Sequence, residues 1–453
     1  MLLVKDIGLI HPILKDVEYQ NRSGFPIIDY IYFLFIKNLN LLKGIQPKLS
    51  KNMGGITFAN GEDWKRNRKI GLRVMNDPQF LEYSVKPILT STDEMIEAMK
   101  KSNEEVYKIN QYIGQLGIDV VGKLVFGTNL NIFKEDRENK EENINSKKLS
   151  HSVRTMLDAI QKYLYRPFPA GFYSLFKSKQ IKELDSAVYN LALTGTILLD
   201  KVKNEIDRNN MTDTQECLSA IIYKNYPELD DTEIQAILMD LLGAGHDTTA
   251  NLVVFTLSLI LEANLLDSSE ELQKEIKAIS NILPVYGETE ENMNYRNILE
   301  TIEKNSPILS SILNESLRLY PLGAVFSRIS LNNKKNYTIK GKKNYYLKPK
   351  TKLLISPYAT GRSNNDWGEN SDSFEPFRFL ENEKKPEAFI PFGVGKRSCI
   401  GGRFGILEAK LILFRLFQLC TITKDTSFQP TDSLLAFTLR TKHDIPVRIG
   451  YNQ

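Results

Sequence analysis

The chain has 453 residues, 42% hydrophobic and 25% charged, with a formal net charge of +4. That balance is globular, enough for one large domain or two to three small ones, and the small basic excess is spread along the chain, which argues against a nucleic-acid binder. Cys217, Cys399 and Cys420 are odd in number and far apart, so no disulfide framework is implied and a reducing, intracellular compartment fits; with no C-x-x-C pair and four scattered histidines, zinc is not expected.

The opening MLLVKDIGLIHPILKD is broken by Lys5 and Asp6, so it lacks a signal-peptide core and reads as a strand followed by a short amphipathic helix. The apolar run at 27–36, IIDYIYFLFI, is ten residues long and contains Asp29, whereas a membrane-spanning helix needs roughly 20 apolar residues. In DWKRNR, Trp64 and Arg68 stand i, i+4 on a helix. They bring an indole N–H and a guanidinium to one face, a pair suited to an anion, although a Trp stacked under a surface Arg is the plainer reading. Residues 134–148, KEDRENKEENINSKK, read as a charged surface insert between an N-terminal helical region and a longer helical middle.

The middle carries GAGHDTTA, Gly243 to Ala250, inside a segment that is apolar nearly all round, with Ile234, Ile237, Leu238, Leu241 and Leu242 before it and Leu252 to Phe255 after it. Such a helix is buried, and each glycine at its centre costs about 1 kcal/mol relative to alanine. Asp247 and two threonines add to the cost, with no charged neighbour in the adjacent turns to pair the aspartate. A ligand lying against the helix accounts for these residues; a kinked core helix whose threonines bond back to the preceding turn is the competing reading. Farther on, Glu315 and Arg318 of ESLR share a helix face at i, i+3, with Glu315 at the rim of an apolar arc of Ile308, Ile312 and Leu319. Partial burial is expected, where a solvated bridge is the common case. Pro321 ends that helix. The stretch at 336–355 then runs in short β-like pieces broken by Gly and Lys-Pro turns, giving one mostly helical domain with small sheets.

The last feature is PFGVGKRSCIGG, in which Gly393, Gly395, Gly401 and Gly402 bracket Cys399. Glycines let backbone N–H groups approach a thiolate sulfur and tune a metal it holds. Arg397 can fork onto a carboxylate. A single Cys thiolate is the axial ligand of oxygen-activating haem iron. Two other readings stay open: a phosphate loop, for which GVGKR lacks the spacing and the Ser or Thr after its lysine, and an inert cysteine.

In combination these residues resemble the cytochrome P-450 haem-thiolate monooxygenases of eukaryotic type. The family loop F-x-x-G-x-R-x-C-x-G is matched by Phe392, Gly395, Arg397, Cys399 and Gly401, and A/G-G-x-D/E-T-T/S by Ala244, Gly245, Asp247, Thr248 and Thr249. E-x-x-R is Glu315 and Arg318, and W-x-x-x-R is Trp64 and Arg68, all in the family order. The family's P-E-R-F segment reads Pro376, Phe377, Arg378, Phe379, which keeps the arginine that joins Glu315 and Arg318 in a charge network. Eukaryotic members carry a membrane helix, a proline hinge and a first helix and strand ahead of the segment that LLVKD resembles. The chain starts at that segment, as expected of a soluble or peripherally bound form or of the product of a shortened gene model.

The resemblance implies one P-450 domain over residues 1–453, mainly α with small β-sheets, whose long central helix crosses a haem b. It implies that Cys399 ligates the iron, with Phe392, Gly393, Gly395 and Gly401 shaping the loop beneath the haem and Ala244 and Gly245 the helix above it. Trp64, Arg68, Arg397 and Arg328 would neutralise the propionates; Arg328 is placed only by its position after the E-x-x-R helix. Thr248 is then the oxygen-side hydroxyl and Asp247 helps deliver protons, in a reaction that inserts one atom of O2 into a C–H bond and reduces the other to water. Electrons would come from an NADPH-cytochrome reductase or a ferredoxin-type donor. Lys65, Arg66, Lys69, Lys396 and Arg403 either offer that donor a basic face or form an ordinary solvated surface. Apolar segments near 30–45, 163–176, 237–246, 322–326 and 433–437 are expected to meet a small or mid-sized lipophile, by analogy a fatty acyl chain or an isoprenoid, carotenoids included. His246 would shape selectivity. No nucleic acid is expected, and peripheral contact with a membrane of the endoplasmic reticulum or plastid stands beside a soluble form. Two other functions fit the haem-thiolate frame: an isomerase or dehydratase, against which the Asp247–Thr248 pair argues, and a haem protein that binds lipophiles without turnover.

Overall fold

A computed structural model of the chain describes all residues except 1, 16–25, 43–54, 58, 134–145, 164–169, 176–177, 208–215, 286–292, 330–336, 340–343, 350, 381–384, 436–437 and 453. The N-terminal part comprises β1 (Leu2–Val4), α1 (Ile7–Lys15), α2 (Pro26–Leu42), α3 (Gly61–Met75), α4 (Pro78–Ser102), β2 (Tyr107–Lys108) and α5 (Ile109–Phe126). The middle is helical: α6 (Ser146–Tyr163), α7 (Ala170–Leu175), α8 (Lys179–Asp207), α9 (Leu218–Asn225), α10 (Asp231–Glu262), α11 (Leu265–Ser268), α12 (Glu270–Ser280), α13 (Tyr295–Lys304) and α14 (Pro307–Leu319). Short strands follow, β3 (Phe326–Ile329), β4 (Tyr337–Ile339), β5 (Tyr345–Leu347) and β6 (Lys352–Ile355), then α15 (Pro357–Thr360), α16 (Asn364–Trp367) and α17 (Gly402–Leu419). The chain closes with β7 (Cys420–Lys424), β8 (Ser433–Leu435), β9 (Leu439–Thr441) and β10 (Pro446–Tyr451). This is the expected mainly α fold with small sheets. The opening strand and helix are β1 and α1, and the apolar run at 27–36 lies within α2. Most of the charged insert, 134–145, falls outside the described residues.

The elements form two compact units. The first comprises Met1–Ser23, Met99–Ile113 and Thr248–Gln453. In it β1 pairs in parallel with β6, and β6 pairs antiparallel with β3. Val4, Ile10, Ile13, Leu14, Leu353, Ile355 and Ile390 form a dry core between that sheet and α1, so the opening strand and helix have apolar faces because they close this core. β10 pairs antiparallel with β2 and with β7. α17 packs on α12, α13 and α14. Pro307 occupies the first turn of α14, where a missing N–H costs nothing. The N–H groups of Ile308 and Leu309 donate to the Glu275 carboxylate of α12 at 2.7 and 2.8 Å, so one helix caps another.

The second unit comprises Gly24–Ala98 and Gly114–Asp247. Here α8 packs on α2 and α6, and the Tyr30 hydroxyl of α2 donates to Asp185 of α8 at 2.7 Å. α4 and α5 are joined by a buried polar cluster. Lys123 donates to Ser91 at 2.8 Å and to Glu94 at 2.9 Å, and lies 3.0 Å from Asp119, which also accepts from the Ser91 hydroxyl at 2.7 Å. The division between the units falls between Asp247 and Thr248, inside the unbroken α10. Among the described residues no helix is long and apolar enough to cross a membrane.

Candidate active site

Cys399 differs from the other two cysteines in where the fold puts it. Cys217 and Cys420 are buried, and burial pushes both thiols up, Cys420 to about 12, which leaves them protonated and inert. Cys399 is exposed. Its N–H donates to the Phe392 carbonyl at 2.8 Å, and the Ser398 N–H donates to the Gly395 carbonyl at 3.1 Å, closing a tight loop with a 3-10 turn at Gly395–Arg397. Gly393 (φ +67°) and Gly395 (φ +75°) hold backbone angles that L side chains rarely adopt. At Gly395 a side chain would also collide with the Leu14 carbonyl at the end of α1. The two cations of the loop separate: Arg397 is 5% exposed, while Lys396 faces solvent.

On β3, Arg328 is 2% exposed, donates to the Ser327 carbonyl at 2.8 Å and lies 4.9 Å from the Phe326 ring. A Cβ at Gly393 would stand 3.8 Å from that same ring, so Phe326 of β3 lies against the cysteine loop. In the second unit Trp64 is buried and Arg68 half-buried on α3.

α10 is not buried all round. Ala244 is exposed, and Leu241, Gly245 and Thr248 are partly so, whereas Leu242, His246, Thr249 and Ala250 are buried. Positions 241, 244, 245 and 248 share one helix face, so the small residues and Thr248 form an accessible stripe. Gly245 also lets α10 approach α5, since a Cβ there would lie 3.3 Å from Val121. Of the segments expected to meet substrate, 43–45, 164–169, 176 and 436–437 fall outside the described residues.

The cytochrome P450 family model matches residues 42–446. The chain belongs to the cytochrome P450 family. It is 27% identical over 376 residues to cytochrome P450 3A6 of Oryctolagus cuniculus, covering 80% of this chain and 69% of that protein. A cytokinin hydroxylase of Arabidopsis thaliana is 23% identical over 401 residues, covering 86% of this chain and 70% of the relative. The bifunctional cytochrome P450/NADPH–P450 reductase 2 of Bacillus subtilis (strain 168) is 24% identical over 404 residues, 86% of this chain but 34% of that longer protein. This P450 is therefore a monooxygenase oxidoreductase of a family that holds haem through a cysteine thiolate and uses O2 and a redox partner. The residues fit that group: an accessible thiol in a glycine-shaped loop, buried guanidiniums at Arg397 and Arg328 suited to carboxylates, and an accessible stripe of small residues on α10.

The E-x-x-R pair of this P450 is buried more deeply than partial burial. Both side chains are fully inaccessible, because α14 is enclosed by α12, α17 and the 361–373 segment. Arg318 donates to both Glu315 oxygens at 2.7 Å, to the Gly361 carbonyl at 2.6 Å, to the Ser373 carbonyl at 2.8 Å and to the Ser371 carbonyl. Arg378 completes the network at 3.1 Å from Glu315. The basic residues considered for a partner face are in part engaged with acids: Lys65 with Glu62, Arg66 with Glu233 and Arg403 with Glu303.

Three arrangements escaped sequence reasoning. Asp240 of α10 accepts the Thr57 N–H at 2.5 Å, and Asn67 donates to the Gly55 carbonyl at 3.2 Å, strapping residues 55–57 to α10 and α3. Glu275 caps α14. Glu408 of α17 is 2% exposed and bonded to Thr249. Asp240 is a lone charge in an apolar run, which is the signal that was available, whereas Asn67 and Glu275 stand in charged stretches that gave none.

Proposed function

We propose that this P450 hydroxylates a lipophilic small molecule at a C–H bond, with Cys399 as the thiolate ligand of its haem. What supports the assignment is that, of three cysteines, Cys399 alone is accessible, in a loop whose glycines and buried Arg397 suit the group. Bound haem supplies the oxygen chemistry, by which one atom of O2 enters the substrate and the other leaves as water. Arg397 and Arg328, with Trp64 and Arg68, would pair with its carboxylates. Thr248 would hold dioxygen through its hydroxyl, and Asp247 would pass protons through water. Ala244 and Gly245 would leave room above the ring. The relatives act on substrates of their own; cytokinin hydroxylase is one such name. For this chain the apolar face of α10 and the exposed Leu434 and Leu435 of β8 favour a lipophile. Leu41 and Leu175 are exposed at 58% and 80% on the packed helices α2 and α7, which favours peripheral contact with a membrane that would supply such a substrate.

Two substitutions test the reading. Cys399→Ser should abolish the red-shifted Soret band of the reduced carbonyl complex, while Cys217→Ser and Cys420→Ser retain it; retention in Cys399→Ser would reassign the ligand. Thr248→Ala should still bind substrate and consume NADPH with a reductase, but with less product per NADPH and hydrogen peroxide making up the difference. Unchanged coupling would favour an isomerase or a binding protein.

A further inference from the structure

Glu408 is a carboxyl group in a place where an ion is not tolerated. It lies in the middle of α17, with Leu407, Ala409, Leu411 and Ile412 around it all buried, and is itself 2% exposed. One of its oxygens, Oε1, is buried without a hydrogen-bond partner. The other accepts from the Thr249 hydroxyl. Thr249 is 5% exposed, and a Cβ on Gly405, one turn earlier in α17, would stand 3.5 Å from its Oγ1. That is ordinary van der Waals distance, so Thr249 packs directly against α17.

The charges on the elements around α17 are engaged elsewhere. Glu275 of α12 caps α14, Glu303 of α13 pairs with Arg403, and Glu315 and Arg318 of α14 pair with each other. On α17 itself, Lys410 donates to the Ile302 carbonyl at 3.4 Å, and Arg415 to Pro284 and Gln418. On α10 the acids that flank Thr249 are Asp247 and Glu262, and Lys424 ends β7. None of these charges acts on Glu408; burial alone pushes its carboxyl up, to about 8, against a small opposing effect of the Thr249 bond. The acid therefore keeps its proton at neutral pH, and Oε1 is the atom to carry it.

We propose that Glu408 is a neutral positioning acid, clasping Thr249 so that the turn of α10 carrying Thr248 is held in register with α17, the helix that springs from the Cys399 loop. The clasp joins the proposed oxygen-side hydroxyl to the proposed ligand loop through two buried side chains, and its functional part rests on the role proposed above for Thr248.

The test uses the haem-loaded full chain and the variants Glu408→Gln, Glu408→Leu and Thr249→Val. Infrared pH-difference spectra should show a protonated carboxyl C=O band that persists to about pH 8 and is missing in Glu408→Gln. The thermal midpoint gives the second readout. Because the folded-state value is raised from 4.5 to about 8, the contribution of Glu408 is complete below pH 4.5 and falls as pH rises toward 8. Glu408→Gln should therefore gain on the wild type across that window and level off above it. A constant gap, or no carboxyl band, would overturn the neutral acid. For positioning, Glu408→Leu and Thr249→Val should each lower product per NADPH by about threefold, the double variant no further, as for two residues in one hydrogen-bonded pair. Glu408→Gln, which still accepts from Thr249, should restore it. If Glu408→Gln is as impaired as Glu408→Leu, the group carries protons and the clasp is wrong; if the two single losses multiply, there is no clasp. Should Thr248→Ala leave coupling untouched, the role of Thr248 fails, while the infrared band and the midpoint profile still decide the state of Glu408.

Discussion

Among the described residues each unit of this P450 buries an ion network, and the two are built differently. In the first unit Arg318 serves Glu315 and also three backbone carbonyls, of Gly361, Ser371 and Ser373. In the second, Lys123 meets only side chains, those of Ser91, Glu94 and Asp119, and Asp119 Oδ1 has no partner. A network that closes on side chains can be exchanged for apolar residues of similar volume, often at no cost. One that also satisfies a loop's carbonyls cannot, because the exchange leaves those acceptors dry. The first sets two cations on one acid and the second one cation on two acids, and they differ further in what else depends on the central cation.

The largest effect should follow from Arg318→Ala. It leaves buried Glu315 with only the partly exposed Arg378 and the Glu375 N–H and strands three carbonyls, and the loss should reach about 3–5 kcal/mol. Little haem-loaded protein should accumulate, measured as absorbance of the reduced carbonyl complex per milligram. The double change Glu315→Leu/Arg318→Met should recover little of this, since each orphaned carbonyl still costs about 1–3 kcal/mol; full recovery would show that the carbonyls do not matter. Lys123→Met should cost about 3 kcal/mol in chemical denaturation, because Asp119 is left fully buried. Adding Asp119→Leu should return most of that loss, in contrast to the first network. The smallest effect belongs to Arg403→Ala. Arg403 and Glu303 form a two-pronged but solvated pair at 2.7 and 2.8 Å, worth about 1 kcal/mol or less and weaker in salt.

The same contrast explains what could be read from the sequence. The cysteine loop, the Asp247–Thr248 pair and Glu315–Arg318 were legible because their residues stand within one loop or one helix, where spacing alone fixes which side chains share a face. Arg378 could be added only through the family resemblance, since it stands 63 positions from Glu315. The depth of the pair was underestimated because the atoms that enclose it, at Gly361, Ser371 and Ser373, come from a distant segment. Lys123 and Asp240 each showed as a lone charge in an apolar stretch, VVGKLVF and ILMDLLG, and Glu408 shares its apolar stretch, ILEAKLI, with Lys410. That pattern announces a buried polar group but is silent about its partner, which sits on another helix. The stripe on α10 was legible in composition, through its small residues. The pairing of β1 with β6 joins positions about 350 residues apart, and no local pattern encodes it.

Gly395 has a bearing on how such chains diverge. Its backbone angle and the Leu14 carbonyl pressed against it exclude any side chain, and neither constraint involves a cofactor. A descendant that had lost its haem would still be held to glycine there for as long as α1 closed on the loop. Cys399 carries no such structural constraint and would be free to drift. Within this one motif, then, the glycine records ancestry of shape, and the cysteine four residues later records whether the chemistry is still under selection.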